Sequence, residues 1–162
     1  MRVAVCAGSF DPVTLGHLDI VRRAARQFDR VYVCAMVNDR KGAGLLCAAE
    51  RKELLTLAVE GLDNVLAESW DGWLVDYARQ VGATAVVKGI RDEADLAWEL
   101  EMAEYNRRAD PDLALETILL PARAEYRHIS STLVRQRLRE GKSIEDYVPA
   151  SVAGALQKRK GW

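Results

Sequence analysis

Two polar clusters, and three cations outside them, carry the chemistry open to this chain. The first cluster, Gly8-Ser9-Phe10-Asp11-Pro12-Val13-Thr14-Leu15-Gly16-His17, joins the apolar run Val3 to Ala7 to a segment with apolar residues at Leu18, Val21, Ala25 and Phe28. The second, Ile129-Ser130-Ser131-Thr132, leads into Leu133, Val134 and Leu138. The cations are Lys41, in the polar stretch Asn38 to Gly44, and Lys88 and Arg91, in the run Lys88-Gly89-Ile90-Arg91. Such groups hold anions. The first N–H groups of a helix lack intrahelical partners and the helix dipole is positive there, so a phosphate carried by the preceding loop is stabilised. His17 and Thr14 stand where their side chains reach such an anion. Simpler roles are open at each position: Gly8 and Asp11-Pro12 as turn residues, Thr14 as an N-cap, Arg40 and Lys41 as solvated charge. Lys88 resists that explanation, because it ends the apolar run Ala85-Val86-Val87 and a partly buried cation needs an anion nearby. In the second cluster one hydroxyl caps the helix, which leaves others, with free N–H groups, for phosphate oxygens.

Positioning these groups falls to strand-like runs at Val3 to Ala7, Val31 to Val37, Val65 to Glu68, Ala83 to Val87 and Leu115 to Leu120, with helical segments between them. This alternation predicts an α/β fold: a doubly wound, Rossmann-like domain whose five-stranded parallel sheet is covered on both faces. One domain over residues 1–162 fits the length, with Lys158 to Trp162 as a frayed end. Ligands of an open parallel sheet gather beyond the carboxyl ends of its strands, and each group above follows a strand. A helix from about Asp92 to Arg107 carries two apolar stripes: Ala94, Trp98, Met102, Tyr105 and Leu96, Leu100, Ala103. One stripe covers the sheet, and the second fits either a broad core face or another subunit. Glu99, between them, is placed either on a ribose or on Arg107. Trp70, Trp73, Leu74 and Tyr77 are expected to open the preceding helix, as core or as an apolar rim for the non-phosphate part of a substrate.

Composition narrows the partners. A formal net charge of -1 leaves no basic surface for nucleic acid. No apolar run reaches the ~18 residues that span a bilayer, and the N-terminus lacks a signal-peptide pattern. Of Cys6, Cys34 and Cys47, two fall in predicted strands and none has zinc spacing, which suits reduced thiols. The expected location is the cytoplasm, with no membrane partner.

The first cluster resembles the HxGH-type signature of the nucleotidyltransferase superfamily, in the Thr-x-Gly-His form of bacterial phosphopantetheine adenylyltransferases. Lys41, Lys88-Gly89-Ile90-Arg91, Asp95, Glu99, Glu116-Thr117 and Ile129-Ser130-Ser131-Thr132-x-Val134-Arg135 follow in that family's order. The resemblance implies transfer of AMP from ATP to 4'-phosphopantetheine, the penultimate step of coenzyme A synthesis, giving dephospho-coenzyme A and pyrophosphate without a covalent intermediate. It also implies Mg²⁺ held mainly by the ATP phosphates, a homohexamer and feedback by coenzyme A. Carried over, Ser9, Phe10, His17, Gly89, Ile90, Arg91, Glu99 and the segment Tyr126, Arg127, His128, Ile129, Ser130, Ser131, Thr132 hold ATP. Ser9, Lys41, Leu74 and Lys88 hold the acceptor, and His17, Lys41, Ser9 and Arg91 carry catalysis. The family usually has Arg at Lys88 and aromatic residues at Leu46 and Leu96. Two rival readings are a nicotinate mononucleotide adenylyltransferase, which typically has His at the Thr14 position, and a non-catalytic nucleotide-binding sensor, against which Ser9 and His17 argue.

Overall fold

The computed structural model describes residues 1–37 and 44–159. Strands and helices alternate as β1 (Val3–Gly8), α1 (Leu15–Ala25), β2 (Arg30–Val37), α2 (Ala48–Ala58), β3 (Val65–Asp71) and α3 (Leu74–Val81). They continue as β4 (Ala85–Ile90), α4 (Glu93–Ala109), β5 (Glu116–Pro121), α5 (Ser131–Arg139) and α6 (Ala150–Gln157). Every pairing is parallel, in the order β3-β2-β1-β4-β5.

Burial follows the strand period of two. On β1 and β2, Ala4, Cys6, Val31, Val33 and Ala35 face one core, while Val3, Val5, Ala7 and Cys34 face the other. The first core is completed by apolar residues of α1, α2, α5 and α6, and the second by Val75, Tyr77 and Ala78 of α3. Helices on both faces explain why the central strands read as continuous apolar runs, and the sheet is doubly wound as expected. Among the described residues no helix is long and apolar enough to cross a membrane.

The sheet extends beyond the apolar runs. β4 continues through Lys88, Gly89 and Ile90, which pair with Leu119, Leu120 and Pro121, so these three residues end a strand instead of forming the loop after it. β3 likewise runs on to Asp71, paired with Val37, which puts Trp70 on the strand and leaves α3 to open at Leu74. In both cases a neighbouring strand supplies the ladder where hydrophobicity has stopped.

The chain order reverses across β1, whose neighbours are β2 and β4. Pairing between β1 and β4 ends at Val5 and Val86, and a crevice opens beyond it at the carboxyl end of the sheet. Gly89 lets α1 close onto this edge, because a Cβ there would lie 2.8 Å from Ile20 Cγ1.

Candidate active site

His17 is the third residue of α1, and its surroundings settle which nitrogen carries the proton. Thr14 caps the helix, and its hydroxyl accepts from the His17 N–H at 3.3 Å. In return the Thr14 backbone N–H donates to His17 Nδ1 at 3.1 Å. A backbone N–H can only donate, so Nδ1 is an acceptor and the neutral ring carries its hydrogen on Nε2. Burial pushes the imidazole from 6.5 down to about 4, and the nearby Arg91 and Lys88 cations add to the effect. The Phe10 ring meets it edge-on at 5.0 Å. His17 therefore stands at neutral pH as an uncharged donor with a fixed ring.

Two cation–carboxylate pairs line the same crevice. Lys88 donates from Nζ to the Ala7 carbonyl at 2.9 Å, where β1 and β4 no longer pair, and lies 3.5 Å from Glu99 Oε1. Glu99 Oε2 is buried without a hydrogen-bond partner among the described residues. Of the two placements open for Glu99, pairing with Arg107 is excluded: Arg107 pairs with Glu104 on the outer side of α4. Arg91 is held by Asp95, with Nε on Oδ2 at 2.8 Å, Nη2 on Oδ1 at 3.1 Å and its backbone N–H on Oδ2 at 3.0 Å. The Asp95 N–H is itself held by the helix cap Asp92. These hydrogen bonds keep the Asp95 carboxyl below its ordinary range and raise Arg91 further, so both stay charged.

The start of α5 closes the crevice, although its hydroxyls are not spare as the sequence suggests. Ser130 caps the helix by accepting from the Leu133 N–H at 3.1 Å. Ser131 donates to the Pro12 carbonyl at 2.8 Å, and Thr132 accepts from Arg135 Nη2 at 3.1 Å. The Ser131 hydroxyl thus joins α5 to the first cluster. Free donors for a phosphate are the Ser130 and Thr132 hydroxyl hydrogens and the first N–H groups of the helix.

All of this lines one cleft of about 590 Å³. Its lining includes Ser9, Phe10, His17, Lys88, Gly89 and Arg91, together with Glu99, Tyr126, Ile129, Ser130, Ser131 and Thr132. Leu74 also lines it. Ile90, Arg127 and His128 fall outside the lining: Arg127 donates to the Ala122 carbonyl, and the His128 ring packs on Tyr147. Lys41 lies outside the described residues. Sequence reasoning passed over Asn106, a buried polar residue in the lining. The signal was its spacing, since 95, 99, 102 and 106 follow one helical face and Asp95, Glu99 and Met102 also line the cleft. Trp73 packs on Tyr105 with ring centroids 5.7 Å apart and, with Leu74, Trp98 and Met102, adds apolar surface to the cleft. The Trp70 indole N–H donates to the Trp73 carbonyl and steadies this turn.

A family model described as cytidylyltransferase-like matches residues 5–137, from β1 into α5, and so takes in every described element of the cleft. Fold and site together define the class, a nucleotidyltransferase. Phosphopantetheine adenylyltransferases from Symbiobacterium thermophilum and Clavibacter michiganensis are 46% and 48% identical, each over 98% of this chain and 96% and 98% of their own. That of Corynebacterium diphtheriae is 41% identical over 98% of both chains. The chain belongs to the phosphopantetheine adenylyltransferases. A crystal structure from Vibrio parahaemolyticus, described provisionally as a nicotinate-nucleotide adenylyltransferase, shares the fold with a TM-score of 0.69 at 20% identity, covering 98% of this chain and all of that one.

Proposed function

We propose that the protein transfers AMP from ATP to 4'-phosphopantetheine, giving dephospho-coenzyme A and pyrophosphate. The observation that carries this reading is a single cleft lined both by phosphate-binding groups, namely His17, Lys88, Arg91 and the α5 start, and by the apolar side chains of Trp73, Leu74 and Met102. The first group suits phosphates and the second the methylene stretches of a long arm, with the buried Asn106 amide also in the lining. A phosphate monoester has its second pKa near ~6, so the acceptor is already largely a dianion at neutral pH and needs no base. Its oxygen attacks the α-phosphorus in line, the bond to the bridging oxygen breaks, and pyrophosphate leaves with that electron pair. The obstacle is the approach of two anions. Lys88, Arg91 and the helix N–H groups lower it by neutralisation, and the His17 Nε2–H donates to the α-phosphate as charge grows on it. Glu99, with its unpaired oxygen, is assigned to a ribose hydroxyl, and Lys41 and Ser9 to the acceptor phosphate.

Among the described residues no three His, Cys, Asp or Glu side chains gather as a metal cage, and Asp95 and Glu99 already face cations. We assign Mg²⁺ to the phosphates of ATP as part of the substrate, since phosphate oxygens are hard ligands suited to it. Coenzyme A carries the same arm as the acceptor and would occupy the same apolar wall, the basis for assigning it as an inhibitor. Cys6 and Cys34 are buried and unpaired, with burial pushing each thiol up to about 12, which suits a cytoplasmic protein.

Parallel incubations with ATP, Mg²⁺ and one acceptor test the reaction. Pyrophosphate release is expected with 4'-phosphopantetheine and not with nicotinate mononucleotide. Release with the second acceptor, or with neither, overturns the reading.

A homohexamer is also assigned, and the support is α4. Of its 17 residues Asn106 is the buried one, while Leu100 on the outer stripe is 55% exposed and Ile118 on the edge strand β5 is also exposed. A second copy of the chain is the occupant that fits this apolar face. Leu100→Glu, which leaves the cleft lining untouched, is expected to move sedimentation toward smaller species, and an unchanged boundary counts against this face.

A further inference from the structure

Asp11 lies next to the cleft but does not line it, and nothing in the proposed chemistry uses its side chain. It is a carboxylate 6% exposed, and its two oxygens are divided between two partners. Oδ2 accepts the Leu45 N–H and Oδ1 the Leu46 N–H, each at 2.8 Å. These N–H groups belong to the residues that follow, in sequence, the segment carrying Lys41. The approach is tight enough to require glycine beside it, since a Cβ on Gly44 would come within 2.6 Å of Asp11 Oδ2 and 2.7 Å of Arg51 Nη2.

Two arginines from different helices flank the carboxylate. Arg51 of α2 lies 3.9 Å from Oδ1 and donates to the Leu46 and Ser9 carbonyls. Arg135 of α5 donates to the Asp11 carbonyl at 2.8 Å, lies 4.0 Å from Oδ2 and reaches Thr132 with its other nitrogen. Next to it, Ser131 donates to the Pro12 carbonyl. One residue thus joins the first cluster, the chain after Lys41 and the nucleotide end of α5. A buried carboxylate that accepts two backbone N–H groups and is flanked by two guanidiniums has little freedom to move.

We propose that Asp11 is a positioning residue for the transfer: its carboxylate, held by Leu45 and Leu46 beside the Arg51 that donates to the Ser9 carbonyl, and its own carbonyl, on Arg135, set the Ser9 loop of the acceptor side and the α5 start of the nucleotide side in register. This rests on the two-substrate reading given above. In-line transfer depends on the relative placement of two bound groups, and a displacement of about 1 Å can cost about 10²-fold in rate. Each half of the cleft keeps its own contacts when the link between them loosens. The loss therefore falls on kcat and not on either affinity.

The test is Asp11→Asn, which keeps the shape but turns an N–H₂ group toward one of the two backbone N–H groups. Arg135→Met, which removes the link to α5 and leaves the carboxylate, is measured beside it. Turnover is followed as pyrophosphate release from ATP, Mg²⁺ and 4'-phosphopantetheine. Each substrate's Kd is measured separately by calorimetry. In both variants kcat is expected to fall by about tenfold or more while each Kd stays within about threefold. Unchanged kcat in the folded variants overturns the proposal, and so does a kcat loss matched by the loss of one substrate's affinity. If Asp11→Asn does not fold, Arg135→Met decides on the same criteria. Should the wild type turn over nicotinate mononucleotide instead, the functional reading fails, and the same split measured with that acceptor still decides the role of Asp11.

Discussion

Replacing His17 with alanine lowers kcat by about 10²-fold or more and weakens ATP binding far less, because the donor it removes acts mainly on charge that develops in the transition state. The Thr14 N–H on Nδ1 leaves the Nε2–H as the ring's one donor, and burial, with Arg91 and Lys88, keeps the ring neutral. His17→Gln, which offers an N–H from a similar length of side chain, recovers part of the rate. A raised KM with unchanged kcat in His17→Ala would remove the imidazole from the chemical step. The pH profile gives a second check. With its imidazole lowered to about 4, His17 contributes no limb between pH 5 and 9. An acid limb near ~6 belongs to protonation of the acceptor phosphate and persists in His17→Ala. Stability follows a different course. The folded imidazole titrates below its unfolded value of 6.5, so the unfolded chain binds more protons between these values and stability falls as pH drops from about 6.5 toward 4. The alanine variant lacks this slope but loses the acceptor of the Thr14 N–H, a capping contact of about 1 kcal/mol, which thermal unfolding at neutral pH measures.

The parallel sheet was legible because alternating apolar strands and amphipathic helices leave few other ways to bury both faces. Its strand ends were less so. Hydrophobicity marks where a strand is covered, whereas pairing with Leu119 and Leu120 carries β4 through Lys88 and Gly89 into the cleft. That extension sets Lys88, because the ammonium replaces the ladder partner that Ala7 loses as β1 and β4 part. The phosphate end of the site was legible for the same reason that it works, since hydroxyls, glycines and cations cluster in sequence at helix starts. What sequence does not carry is which donors are already engaged. Ser131 has the residue type of a phosphate ligand, yet its proton is on Pro12, 119 residues away. Asp11 reads as a turn residue, and its bonds to Leu45 and Leu46 exist only once the chain has closed. The apolar part of the cleft was dispersed over the turn before α3, α3 itself and α4, where Trp73 and Leu74 read equally as core or as a substrate rim, Met102 as part of an apolar stripe, and Asn106 carried no signal beyond its spacing.

Removing the Lys88 ammonium is expected to cost stability as well as rate, and the two losses have different causes. Lys88 and Glu99 have side chains 21% and 13% exposed, so the carboxylate left behind in Lys88→Ala is mostly desolvated. Stripping one partner from a fully buried pair costs about 3–5 kcal/mol, and partial exposure here reduces that to about 2 kcal/mol. For a chain of this size the loss lowers Tm by about 4–8 °C, readable by calorimetry or circular dichroism. Turnover falls for a separate reason: the ammonium lines the cleft in which the two phosphates are proposed to meet, and losing one such charge is expected to cost about 10²-fold in kcat/KM. Glu99→Gln added to Lys88→Ala separates the two, because a neutral amide needs no counter-charge. The double variant recovers most of the Tm and none of the rate. Recovery of both would make Lys88 a partner for Glu99 and nothing more. Lys88→Arg keeps the charge and adds the planar fork that grips two phosphate oxygens. If the guanidinium still reaches the Ala7 carbonyl, kcat/KM stays within about threefold and Tm is unchanged. A large loss in Lys88→Arg would instead show that the compact ammonium, held between Ala7 and Glu99, is itself what the geometry requires.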